Sequence, residues 1–170
     1  PPRVDALQDL LRTARIKIAG SWFRMDILRL CKLSTLDLRW NKLQKLLPAD
    51  PDITGKSKLA KLRLDYNKLT SIPTQIMNKI PDLISLRLCH NNILDAGVFW
   101  NILEHLPNLV RLDLSYNKLR ELKRQKAQKI SHECLKQISL SGNTISHYPD
   151  SVDFPVLKSL SLDKNQLTSL

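Results

Sequence analysis

Residues 109–119 read Leu109-Val110-Arg111-Leu112-Asp113-Leu114-Ser115-Tyr116-Asn117-Lys118-Leu119. Leu112 and Leu114 alternate with charged residues, the period of a short strand with one face turned inward. The same spacing, Leu-x-x-Leu-x-Leu-x-x-Asn-x-Leu, occurs six times. Upstream stand Leu33, Leu36, Leu38, Asn41, Leu43; then Leu59, Leu62, Leu64, Asn67, Leu69; then Leu83, Leu86, Leu88, Asn91, Ile93. Downstream stand Leu135, Ile138, Leu140, Asn143, Ile145 and Leu157, Leu160, Leu162, Asn165, Leu167. Successive asparagines are 26, 24, 26, 26 and 22 residues apart, a period at which each unit is one coil of a stacked array.

Packing explains the template. A single coil cannot bury its leucines, but coils stacked in register make one continuous core from the inward leucines of neighbouring strands. The asparagine falls where the chain turns inward after the strand. Its amide both donates and accepts, so it can satisfy backbone groups stranded inside the turn. Aromatic residues make up only 5% of the chain, which leaves the core to aliphatic side chains.

On these residues the chain, over 16–170, resembles the leucine-rich repeat superfamily; the Ile72-Pro73 pair resembles the convex style of its intracellular members, whereas Asn91 to Leu109 resembles the longer, helical style of ribonuclease-inhibitor-like chains, so the array is mixed. The resemblance implies an α/β fold: a right-handed solenoid, or horseshoe, with a parallel concave sheet and a mixed helical and irregular convex side. Members of the superfamily act mostly as protein-binding platforms, and a few take part in RNA handling.

Two regions are expected. Residues 1–32 read as an N-terminal cap: Val4, Leu7, Leu10, Leu11 and Ala14 recur at helical spacing, followed by a degenerate repeat. In that repeat Ile16, Ile18 and Phe23 take the leucine sites and Ser21 stands for the asparagine. Residues 33–170 hold the six repeats, with no C-terminal cap evident. On the convex side, residues 74–80, 97–106 and 120–134 read as helical. Residues 44–58, with Pro48, Pro51 and Gly55, read as irregular. The chain opens on Pro1 and stops inside a repeat at Leu170, which reads as a piece of a longer protein.

The formal charge is +11, which favours solubility and attraction to acidic partners. Three cysteines, Cys31, Cys89 and Cys134, are widely separated and lack metal-ligand spacing, and the sequence has no Asn-x-Ser/Thr site. A reducing compartment is therefore expected, cytoplasmic or nuclear. No apolar run approaches membrane-spanning length.

The residues between the template leucines are expected to face outward on the concave side. There Asp37, Arg63, Arg87 and Asp113 stand between strand leucines, with Arg111 one place before them and Arg39 and Asp65 one place after. Just before the asparagine come Trp40, Tyr66, His90 and Tyr116, followed by Gly142 and Lys164. The four rings form a stripe along the concave edge, flanked by the charges, and Tyr, Trp and Arg are enriched at binding hot spots. The same rings and charges could instead pack on one another and pair across the sheet. A second candidate surface is Lys123, Arg124, Lys126 and Lys129, whose cations suit phosphates but lack interleaved aromatics for base stacking.

Chemistry is scarce. With glycines only at 20, 55, 97 and 142 there is no phosphate-cradling loop, and the four histidines show no i, i+4 pair. Cys89 beside His90 lacks an orienting third group and reads as a packed thiol. The sequence therefore points to a non-catalytic protein-interaction module of a larger signalling or scaffold protein, with no cofactor, no metal and no small-molecule substrate. Alternatives are an RNA-binding solenoid and the regulatory repeat region of a multidomain enzyme.

Overall fold

A computed structural model describes residues 12–124, 129–149 and 152–168. In chain order the strands are β1 (Thr13–Arg15), β2 (Trp22–Arg24), β3 (Thr35–Asp37), β4 (Lys45–Leu47), β5 (Lys61–Arg63) and β6 (Ser85–Arg87). They continue as β7 (Arg111–Asp113), β8 (Ile130–Ser131), β9 (Gln137–Ser139), β10 (Val152–Asp153) and β11 (Ser159–Ser161). Among the described residues two α-helices, α1 (Thr74–Lys79) and α2 (Gly97–His105), and a 3-10 turn at Met25–Arg29 lie on the return segments.

Strands β1, β3, β5, β6, β7, β9 and β11 form one parallel sheet in that order. Its middle residues are in register, Leu36 with Leu62, then Leu86, Leu112, Ile138 and Leu160. From Leu36 to Ile138 these side chains are 0–2% exposed, whereas Leu160 on the last strand is 37% exposed. The stacked coils give the right-handed solenoid and parallel concave sheet expected of the repeat.

The convex side is mixed. Helix α1 buries Ile76 and Met77, and α2 buries Val98, Phe99, Ile102 and Leu103, close to the spans expected. The stretch 120–134 differs. Its described residues contain no helix; instead β8 pairs in parallel with β10, and the His132 N–H donates to Asp153 O. Leu122 and Ile130 are too few to give a helix an apolar stripe to bury. Within 44–58, Leu46 of β4 is buried and β4 pairs with β2, so irregular structure is confined to the rest of that stretch.

The N-terminal repeat is real but displaced. Ala14, counted above in the capping helix, lies in β1 and pairs with Leu36. Ile16 thus falls in the place of Leu38, two residues from the register read for it. The residues of the capping helix before Arg12 lie outside the described residues. Alanine carries little pattern information, which is why helical spacing claimed it.

The asparagines act as expected. Asn117 Oδ1 accepts from the Ile93 N–H at 3.0 Å, and Nδ2 donates to Leu88 O at 2.9 Å and Leu114 O at 3.0 Å. Asn41, Asn67, Asn91, Asn143 and Asn165 repeat this arrangement.

The concave face as candidate interface

The residue before each asparagine takes a left-handed backbone, with φ between 53° and 66° at Trp40, Tyr66, His90, Tyr116, Gly142 and Lys164. This conformation is costly for bulky L-residues, and it directs every side chain of the row to the same edge. There the rings meet face to face: Trp40–Tyr66 centroids are 3.6 Å apart, and Tyr66–His90 and His90–Tyr116 are each 4.5 Å apart. Tyr116 leans over Gly142, where an added Cβ would lie 2.6 Å from its Cδ1. Lys164 reaches back across the glycine to donate to Tyr116 Oη at 3.1 Å. The row therefore forms one stack in which ring faces cover each other. Edges stay open, and Trp40 is 59% exposed.

Of the three acids expected beside the stripe, Asp37 and Asp65 turn away from solvent and Asp113 stays partly exposed. Asp37 is buried and receives Arg39 Nε at 2.9 Å and Nη2 at 2.7 Å. This hydrogen bonding to Arg39 holds the Asp37 carboxyl below the usual carboxylate value and raises Arg39. Asp65, 1% exposed, accepts from the Cys89 N–H at 3.2 Å. Arg87 Nε lies 3.4 Å from Asp65 Oδ1, to which its N–H points, and 3.2 Å from Oδ2. Burial nevertheless pushes the Asp65 carboxyl up. The oxygens of Asp65 and Asp113 and the Cys89 sulfur lie within 4.8 Å of one another, and Arg87, also 3.8 Å from Asp113 Oδ2, bridges the two acids.

Cys89 is buried, and burial, with the Asp113 and Asp65 charges, pushes its thiol up to about 11. It is a protonated packing group at neutral pH, as the sequence suggested, and not an activated nucleophile.

Outward residues of β5, β6, β7, β9 and β11 line an open trough of about 460 Å³. Its charged walls are Lys61, Arg63, Arg87, Arg111 and Asp113, and serines and Gln137 fill much of the rest. Lys61 was absent from the residues singled out by sequence. Its place one residue before Leu62, equivalent to Arg111, was the available signal.

The second candidate surface is not a free cationic patch. Lys123 pairs with Glu121 at 3.0 Å, and Lys129 lies 3.9 Å from Asp153. The Arg124 side chain is 8% exposed, 2.6 Å from Glu104, and stands over the Trp100 ring at 5.6 Å. Lys126 lies outside the described residues.

In-register strands, an internal amide ladder and an open polar trough define a repeat solenoid that presents one broad face. The chain belongs to the leucine-rich repeat family, whose model matches residues 57–119 and 107–167, more than half of the sequence. It is 33% identical over 144 residues to lumican of Rattus norvegicus, covering 80% of this chain and 39% of that protein. Fibromodulin of Bos taurus is 32% identical over 143 residues, covering 79% and 35% respectively. Lumican of Gallus gallus is 29% identical over 176 residues, covering 96% and 48%. The chain thus spans less than half the length of these relatives. A crystal structure of a TLR13–ssRNA13 complex shares the fold, with TM-score 0.62 and 24% identity over 86% of this chain and 23% of that one. Among the described residues no helix is long and apolar enough to cross a membrane.

Proposed function

We propose that the chain is a non-catalytic interaction module that takes a protein partner on its concave face, as part of a larger signalling or scaffold protein. The observation that carries this reading is the trough over β5, β6, β7, β9 and β11, whose walls are outward polar side chains set on a rigid, in-register sheet. Such a surface is preorganised, so a partner binds without the cost of ordering it. The edges of the ring stack, with Trp40 most exposed, extend the surface along one side.

In the same reading the module works in the cytoplasm, where the exposed Cys31 thiol stays reduced. RNA is a weaker partner for this face, because the ring faces that would stack on bases cover each other except at Trp40, which ends the stack.

Ser85→Trp tests the reading, since Ser85 sits between Lys61 and Arg111 on the trough floor. The substitution fills the trough without removing a charge. In a pull-down read by mass spectrometry it should abolish protein capture, while Lys118→Trp, outside the trough, should not. Capture unaffected by Ser85→Trp overturns the proposal.

A further inference from the structure

Asp37, Arg63, Arg87 and Asp113 lie side by side on β3, β5, β6 and β7. Their order suggests two cross-strand ion pairs, Asp37 with Arg63 and Arg87 with Asp113. Only the second forms, at 3.8 Å. Asp37 gives both carboxylate oxygens to Arg39 instead.

Arg63 is thereby left without an acid among the described residues, directly opposite Arg87 in the register. Lys61, on the same strand, also has no ion pair among the described residues. Arg111 Nε donates to Gln137 Oε1 at 2.8 Å, a neutral acceptor, and Arg111 has no ion pair among the described residues. Three cations therefore face one concave trough, where low-dielectric walls focus their field. Among the described residues none of these three has an ion pair, so an incoming anion meets uncompensated charge.

We infer that this trough seats an acidic peptide segment of the partner protein, its carboxylates paired with Lys61, Arg63 and Arg111. The inference rests on the reading of the concave face as the partner face. Lys61 and Arg63 are two residues apart on a strand, about 6.6–6.8 Å. Carboxylates at alternate positions of an extended peptide repeat at that same distance, so a segment lying along β5 offers one to each. Arg111 stands two strands away, about 9.6 Å, within reach of a third acid.

A peptide suits the trough better than a nucleic acid. Asp113 is part of its wall, and a phosphodiester chain carries a charge at every link. A peptide can place an uncharged residue opposite Asp113 and hydrogen-bond its backbone to Ser85 and Ser139.

The test uses a short fluorescein-labelled peptide in which glutamate alternates with serine, a glutamine–serine control, and an oligouridylate of equal charge. Fluorescence anisotropy at low salt should show binding of the acidic peptide, weakening as salt is added, and none of the control. Lys61→Gln and Arg63→Gln should each weaken it about three- to fivefold, and Lys118→Gln should leave it unchanged. Arg63 makes no ion pair among the described residues, so Arg63→Gln breaks none and its melting temperature should stay near that of the wild type, which separates lost binding from lost folding. The inference is overturned if the acidic peptide fails to bind, if the variants bind as the wild type does, or if oligouridylate binds more tightly. Peptide failure with partner capture still blocked by Ser85→Trp would overturn the acidic partner alone. Capture surviving Ser85→Trp would overturn the wider reading.

Discussion

Replacing Asn117 with alanine removes one rung of the amide ladder, and the structure sets the cost. Asn117 is 7% exposed. Its Oδ1 is the acceptor for the Ile93 N–H, so the substitution strands a buried donor, worth about 1–3 kcal/mol. Two amide N–H groups are lost, and none of the three carbonyls they reach is stranded: Leu88 O keeps the Asn91 amide, Leu114 O keeps that of Asn143, and Ser115 O keeps the His90 N–H. Each of those losses is the net worth of one hydrogen bond, about 0.5–1.5 kcal/mol. The expected destabilisation is about 2–6 kcal/mol by urea unfolding followed by tryptophan fluorescence. Asn41 makes equivalent bonds but is only partly buried, so water can replace the lost amide and Asn41→Ala should cost about 1 kcal/mol. Asn117→Asp keeps the acceptor but sets a carboxylate oxygen against two carbonyls, so its penalty should shrink as the pH falls. A cost below about 1 kcal/mol for Asn117→Ala, or a cost no larger than that of Asn41→Ala, would refute the ladder as the internal support of the solenoid.

Further expectations concern the stack, the thiols and the charged edge. Gly142→Ala places a methyl 2.6 Å from the Tyr116 ring in a left-handed backbone and should cost about 1–3 kcal/mol; melting at the wild-type temperature would show that Tyr116 does not rest on that glycine. A thiol reagent should label exposed Cys31 in the native protein and reach Cys89, raised to about 11 by burial, only on unfolding. Equal native labelling of both would contradict the packed-thiol reading. Asp37, lowered by its hydrogen bond from Arg39, stabilises the fold above about pH 4 and loses that contribution as the pH falls through its folded value. The stability gap between wild type and Asp37→Asn should therefore narrow on acidification, and a gap constant with pH would rule this out.

The fold was legible because the repeat uses the same residue type at the same site each time. Leu36, Leu62, Leu86 and Leu112 could be placed inward by alternation alone, and the asparagines by their offset from those leucines. The convex side was harder to read: Lys-rich spacing at 120–134 resembled a helix, yet its described residues hold no helix and the chain pairs β8 with β10 there. At the candidate site the rows were legible and their contacts were not. A ring before each asparagine pointed equally to a binding stripe or to mutual packing, and only the left-handed backbone brings the faces together. Gly142 in the same row was the one residue hinting at that conformation. Asp37 pairs along its own chain with Arg39 rather than across the sheet, a choice set by local geometry that alternation does not encode, and it leaves Arg63 without an ion pair among the described residues.

The most direct measurement is photo-crosslinking from benzoylphenylalanine placed at Ser85 on the trough floor, and separately at Lys118 outside it, with mapping of the joined peptides. Crosslinks to a protein from the Ser85 position, displaced by excess acidic peptide, are the expected result. Crosslinks from the Lys118 position alone, or to RNA from either, would contradict the concave face as the seat of a protein partner.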